Sequence, residues 1–157
     1  MAHEYRATVS WARNGETFSD NRYSRGHLWT FDGGVAVPAS ASPSVVPLPL
    51  SREDAIDPEE AFVAAVSSCH MLTFLSIAAK KRFVVDSYED HALGVMTKND
   101  KGKLFISKVT LDPTIEFSGE KRPSPEQIAD MHHLAHQECF IANSVLTEVE
   151  VAGLPSH

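Results

Sequence analysis

Cysteine is scarce: two residues in a chain of 157, seventy positions apart. A disulfide-stapled scaffold is thereby excluded, and in a reducing compartment a permanent structural bridge would be unusual. Positive charge is in deficit too, with 14 Lys and Arg against 21 Asp and Glu and a formal net charge of −7. No basic stretch is available to neutralise phosphates, which argues against nucleic acid as a partner and disfavours acidic peptides and phosphorylated ligands. The start, Met1-Ala2-His3-Glu4-Tyr5, is polar and has no apolar run before a small-residue cleavage site, so it does not read as a signal peptide. The longest apolar stretch, from Ala61 to Ala79, is interrupted by Ser67, Ser68, Cys69, His70, Thr73 and Ser76. It reads as a buried helix rather than a membrane span. There is no internal repeat and no low-complexity block. The expectation is a soluble cytoplasmic protein with one domain over residues 1–157.

What is present is an ordinary globular mixture, 43% hydrophobic and 22% charged. Tyr5 to Trp11 alternates as an edge strand does, and Arg13-Asn14-Gly15 supplies a turn. A second extended run covers His27 to Phe31 and stops at Asp32-Gly33-Gly34, with the polar stretch Ser19 to Arg25 before it as a loop. Pro38 to Pro49, rich in Pro, Ser, Ala and Val, has neither period and reads as an extended surface connection.

A strong helix start follows, with Asp57 as N-cap, Pro58 at the first position and Glu60 completing a capping box. The run then continues for about seven turns to Lys81. Between Phe62 and Ala79 it offers apolar side chains on nearly every face, the mark of a helix buried at the centre of a domain or of a homodimer.

Phe83 to Tyr88 and Ala92 to Met96 lead to the turn at Asn99-Asp100-Lys101-Gly102, and the return runs from Leu104 to Phe117, which predicts one long β-hairpin. A second helix opens at Ser124 with Pro125 and Gln127 in a capping box, and Ile128, Met131, Leu134 and Ala135 form its apolar stripe. Cys139 falls near its end, and a last strand spans Thr147 to Val151. The fold class expected is α+β, with antiparallel sheets from the N-terminal and central hairpins packed on a long central helix and a second helix.

Two segments carry the candidate chemistry. Cys69 lies three to four turns into the central helix, beyond the reach of the helix dipole, so a thiolate there needs a cation from another segment. His70 points about 100° away round the helix, which makes an arginine the better candidate. Cys139 sits in His136-Gln137-Glu138-Cys139-Phe140-Ile141-Ala142-Asn143-Ser144. The bland alternative for both is a pair of inert buried thiols. A zinc reading is available from His132, His136 and Cys139, with Cys69, His70 or a carboxylate as fourth ligand, but the histidines read more simply as helix surface. A cysteine hydrolase is disfavoured because no Gly-rich turn adjoins either cysteine.

Asp57-Pro58-Glu59-Glu60-Ala61-Phe62, Ala64-Ala65 and Ser68-Cys69-His70, followed by Ala135-His136-Gln137-Glu138-Cys139 and Asn143-Ser144, resemble the two cysteine motifs of the OsmC/Ohr family. This is the family of osmotically inducible protein C and organic hydroperoxide resistance protein, and the order of elements is similar along essentially the whole chain. The resemblance implies an organic hydroperoxide reductase with Cys69 as peroxidatic cysteine, Cys139 as resolving cysteine and a glutamate at Glu59. It also implies an activating arginine from the N-terminal hairpin, where Arg22 and Arg25 both stand before the second strand and Arg25, next to it, is favoured. It implies no cofactor beyond a dithiol reductant, which the Ohr branch takes as a lipoylated protein, and an intertwined homodimer. His70 stands where an aromatic is common in the family, and the segment Tyr23 to Gly34 departs from its best-known members, which marks a divergent subgroup. The alternatives carried forward are a non-catalytic redox-sensing or ligand-binding protein of the same fold, and the zinc-binding domain.

Overall fold

The computed structural model describes residues 2–155; Met1 of the polar start and the tail residues Ser156 and His157 lie outside them. The chain forms two compact units, one up to Ala61 and one from Phe62 on.

The first unit carries a three-stranded antiparallel sheet, β1 (Ala7–Ser10), β2 (His27–Phe31) and β3 (Ala36–Ala39), with β2 in the middle. β3 lies within the stretch that the sequence reads as turn and surface connection. Pro38 disguised it: a proline lacks the N–H for a central ladder but is tolerated on an edge, and β3 is the edge strand beside β2, Pro38 facing Leu28, with one isolated bridge, Ala39 to Ile56, on its other side. Beyond β3 the chain holds itself by local bonds, among them Ser40 N–H to Ile56 O (3.0 Å) and Arg52 N–H to Ser40 Oγ (3.0 Å).

Helix α1 (Pro58–Lys80) begins where the capping box puts it: Asp57 Oδ1 accepts from Glu60 N–H at 2.7 Å, and Glu60 Oε2 accepts from Asp57 N–H at 3.3 Å. By length and composition α1 is apolar enough to cross a membrane, yet it contributes core residues to a packed unit. Only one stripe is fully buried, Val66, His70, Phe74 and Ala78 at successive intervals of four. The expectation of burial on nearly every face is therefore corrected for the single chain: Ala64, Ala65 and Leu72 are exposed, Leu72 by 61%.

The second unit continues with β4 (Val84–Asp90), β5 (Leu93–Lys98), β6 (Leu104–Leu111), β7 (Pro113–Ser118), α2 (Pro125–Glu138) and β8 (Glu148–Val151). The expected long hairpin is split into two ladders, β4 with β7 and β5 with β6. Asp90 and Pro113 account for the break. The Asp112 N–H turns to Asp90 Oδ1 (2.7 Å), and Pro113 has no N–H to give. β8 joins the β6 edge in parallel, Lys108 facing Glu148 through Leu111 facing Val151. α2 has both halves of its predicted capping box, Gln127 N–H to Ser124 Oγ (3.2 Å) and Ser124 N–H to Gln127 Oε1 (2.9 Å).

Two apolar clusters fill this unit: Phe74, Ala78, Phe83, Met131 and Ala135 in one, Val66, Val109 and Leu111 in the other. At Gly94 on β5 an added Cβ would lie 2.5 Å from Val63 Cγ2, and Val63 is a stiff β-branched residue on α1. Gly94→Ala is expected to cost about 1–3 kcal/mol through overpacking, read as a lower urea midpoint at unchanged m-value.

Candidate functional site

The site is built on α1 and α2. Cys69 and Cys139, seventy residues apart in sequence, meet there: the Cys69 thiol is near enough to act on that of Cys139, and both are free thiols. Cys139 is the C-cap of α2 and 1% exposed, while Cys69 is half-buried. Burial first, and then the neighbouring Cys69 thiol, pushes the Cys139 thiol up to about 11, against a smaller opposing effect of the Ala142 N–H, which reaches its Sγ at 3.4 Å. Cys139 therefore keeps its proton at neutral pH, and Cys69 is the more accessible sulfur.

A second contact links the same helices. His70 Nε2 and His132 Nδ1 are 2.9 Å apart, with ring planes 9° from parallel. The reading of His132 as helix surface is corrected, since it is 4% exposed and packs on Phe74 with ring centroids 4.4 Å apart. Leu134, assigned to the buried stripe from its period, is exposed, and His132 takes the inward place. The sequence carried a signal here, His70 directly after Cys69 and His132 two helical turns before Cys139, but periodicity of apolar residues passes over imidazoles. Burial lowers both histidines to about 4; for His70 the neighbouring His132 and His136 add to it, and for His132 the Asp90 carboxylate opposes it.

Asp90 is a hub beside this pair. Its Oδ2 accepts from Ser67 Oγ and its Oδ1 from the Asp112 N–H. Tyr88, whose ring lies 5.7 Å from that of Phe74, has its phenol held above the usual range by burial and by Asp90. Two buried atoms, His70 Nδ1 and Tyr88 Oη, have no hydrogen-bond partner among the described residues. Next to His132, a cleft of about 210 Å³ is lined by His133, His136 and the segment from Thr147 to Val151. Among the described residues no group of three His, Cys, Asp or Glu side chains is placed to hold a metal ion, so the set His132, His136 and Cys139 is not assembled as a zinc site. Leu72 on α1 and Phe140, next to Cys139, are 61% and 79% exposed.

Arg25 and Glu59 belong to the first unit. Arg25 is half-buried, its guanidinium 3.7 Å from the centroid of the Tyr23 ring. It donates to Asn21 O (3.2 Å), Asn21 Oδ1 (2.8 Å) and Tyr23 O. With Val9, Trp11, Phe18, Tyr23 and His27 it lines an open, largely apolar cleft of about 540 Å³. Arg22 is exposed, and its N–H is held by Asp20 Oδ1 at 3.0 Å. Glu59 is half-buried in the first turn of α1, next to the capping residue Glu60. His27, which the sequence reading left without a role, is fixed in one tautomer. Trp29 Nε1 can only donate, so His27 Nε2 accepts it (3.0 Å) and Nδ1–H donates to Arg25 O (2.7 Å).

The profile of OsmC-like proteins matches residues 51–152. The chain belongs to the OsmC-like family. An OsmC-like protein of unknown function from Vibrio cholerae is 59% identical, with TM-score 0.94, over 96% of this chain and 98% of its own. The fold also matches an organic hydroperoxide resistance protein from Elizabethkingia anophelis at 17% identity (TM-score 0.70, 96% of this chain and 94% of the other). Another such protein, OhrB of Bacillus subtilis, matches at 16% identity (TM-score 0.65, 95% and 96%). No curated protein matches this OsmC-like chain.

Proposed function

We propose that this OsmC-like protein is a thiol peroxidase that reduces organic hydroperoxides to alcohols, with Cys69 as attacking sulfur and Cys139 as the thiol that closes a disulfide. The observation that carries the reading is the pairing of the two sulfurs across α1 and α2, one half-buried and the other enclosed. An inert pair has no need for that juxtaposition. The fold shared with organic hydroperoxide resistance proteins supports the substrate class.

In this reading the Cys69 thiolate attacks the distal oxygen of the hydroperoxide, the O–O bond breaks, and the alkoxide takes up the proton the thiol released on ionising and leaves as the alcohol; Cys69 becomes a sulfenic acid. The Cys139 thiol condenses with it, forming the S–S bond and releasing water. A dithiol, a lipoyl group in the form favoured here, returns both thiols by exchange. Arg25 stabilises the attacking sulfur's negative charge and the charge on the peroxide oxygens, and Glu59 orients it. Both Glu59 and Cys69 lie on α1, ten residues and about 15 Å apart along its axis. The arginine and glutamate therefore reach Cys69 across a homodimer interface or by the chain folding back. The exposed Ala64, Ala65 and Leu72 of α1 suit the homodimer. A cytoplasmic location suits a pair of thiols that must be kept reduced between turnovers.

The test is intact mass and free-thiol count after one equivalent of an alkyl hydroperoxide is added to the reduced protein. Rapid loss of both thiols with about two mass units lost is expected. Survival of both thiols would sink the proposal. Sustained peroxide consumption with excess dithiol separates the peroxidase from a sensor of the same fold, which oxidises once and stops.

A further inference from the structure

The function proposed above uses the approach of Cys69 and Cys139, and it leaves unused a second polar contact between α1 and α2 among the described residues. This is the bond between His70 and His132, one residue on from Cys69 on α1 and seven residues before Cys139 on α2. Seven residues are close to two full turns, so His132 and Cys139 lie on the same face of α2. Along α1 the residues in contact run Cys69, His70, Phe74, and their partners on α2 run from Cys139 back to His132.

Burying two imidazoles is a costly way to fill space. Each loses its hydration, and the hydrogen bond between them returns only about 0.5–1.5 kcal/mol net. A pair of leucines would pack the same gap more cheaply. What the bond supplies, and apolar contact does not, is a fixed distance and direction. Only one of the two facing nitrogens can carry hydrogen, so the rings are held at 2.9 Å in one mutual orientation. The groups around them are Tyr88 and Asp90 from β4, His136 from α2 itself and the ring of Phe74.

We propose that His132 is a positioning residue for disulfide closure: through its hydrogen bond to His70 it fixes the register of α2 on α1 that keeps the Cys139 sulfur at Cys69. The inference rests on the dithiol reading given above. Closure joins Cys139–SH and Cys69–SOH; the S–S bond forms, the S–O bond breaks, and the thiol proton leaves with the hydroxyl as water, so no further reagent is needed. An S–S bond tolerates little slip, about 2 Å between sulfurs with a narrow range of torsion. A helix sliding by a fraction of a turn would lose it.

The measurement is the equilibrium of the Cys69–Cys139 pair with reduced and oxidised dithiothreitol, which involves no peroxide. His132→Leu is expected to lower the effective concentration of the pair about tenfold or more, at unchanged near-ultraviolet circular dichroism. His132→Asn, whose amide takes the place of Nδ1, is expected to stay within about threefold of the wild type. His70→Leu should match His132→Leu, and the double variant should fall no further, since the two act as one unit. A wild-type value in His132→Leu, or losses that add in the double variant, would overturn the proposal. If the leucine variants do not fold, Asn against Gln at position 132 decides it: the longer Gln amide overshoots the Nδ1 position, and equal values for the two would be fatal. A wild-type protein that forms no disulfide with oxidised dithiothreitol would instead remove the dithiol reading itself.

Discussion

Cys69→Ser is expected to reduce consumption of tert-butyl hydroperoxide in the presence of a dithiol by more than about a thousandfold. A serine hydroxyl at the same place is close in size, but it remains protonated across the working pH range and is a poor nucleophile toward oxygen. Cys139→Ser should behave differently. Its first oxidation still occurs, because the attacking sulfur is intact, and the enzyme then stalls with a sulfenic acid that a 1,3-dione captures. The contrast follows from the asymmetry of the pair: Cys69 is half-buried, while Cys139 is enclosed and its thiol pushed up to about 11. A group so reluctant to ionise is a poor first attacker. It is a sound second one, since it stands beside the sulfur it must meet. Equal losses of the first oxidation in the two variants would contradict this division of labour, and full activity in Cys69→Ser would remove the mechanism.

The helices that carry this chemistry were the most legible part of the sequence. Asp57 with Glu60, and Ser124 with Gln127, are capping boxes whose partners lie within four residues, so they can be read from spacing alone, and both form as expected. β2 was legible from its apolar and aromatic residues between turn signals. What escaped were features made by distant partners. The split of the central hairpin depends on one carboxylate, Asp90, reaching across to Asp112 N–H, and no local pattern announces that. β3 was hidden because Pro38 speaks against a strand until its edge position is known. At the site, the meeting of Cys69 and Cys139 was expected only from a family resemblance. The approach of His70 to His132 entered only through the zinc alternative and not as a hydrogen-bonded pair, because imidazoles are counted as polar and their burial depends on each finding the other. The exposed remainder of α1 has the same origin: hydropathy records that a face is apolar, and not what covers it.

The imidazole pair also sets how the fold responds to acid. Above about pH 6.5 both histidines are neutral whether the chain is folded or unfolded, and proton binding does not favour either state. As the pH falls below that value the unfolded chain takes up protons on His70 and His132. The folded chain does not, because burial holds each near 4. Stability that is fully present above the unfolded value is thus lost progressively between about pH 6.5 and 4, and the loss levels off once the folded pair also protonates. Its size is on the order of a few kcal/mol for the pair together, a large share of the stability of a small fold. Asp90, which favours the charged form of His132, moderates the effect without reversing it. The check is a series of urea unfolding curves from pH 7.5 to 4.5 for the wild type and His132→Asn. The variant lacks one of the two groups and should show a shallower decline, while carboxylates elsewhere contribute equally to both proteins. Parallel declines would mean that His132 titrates freely, and the buried neutral pair would then be an incorrect description of the region beneath the two thiols.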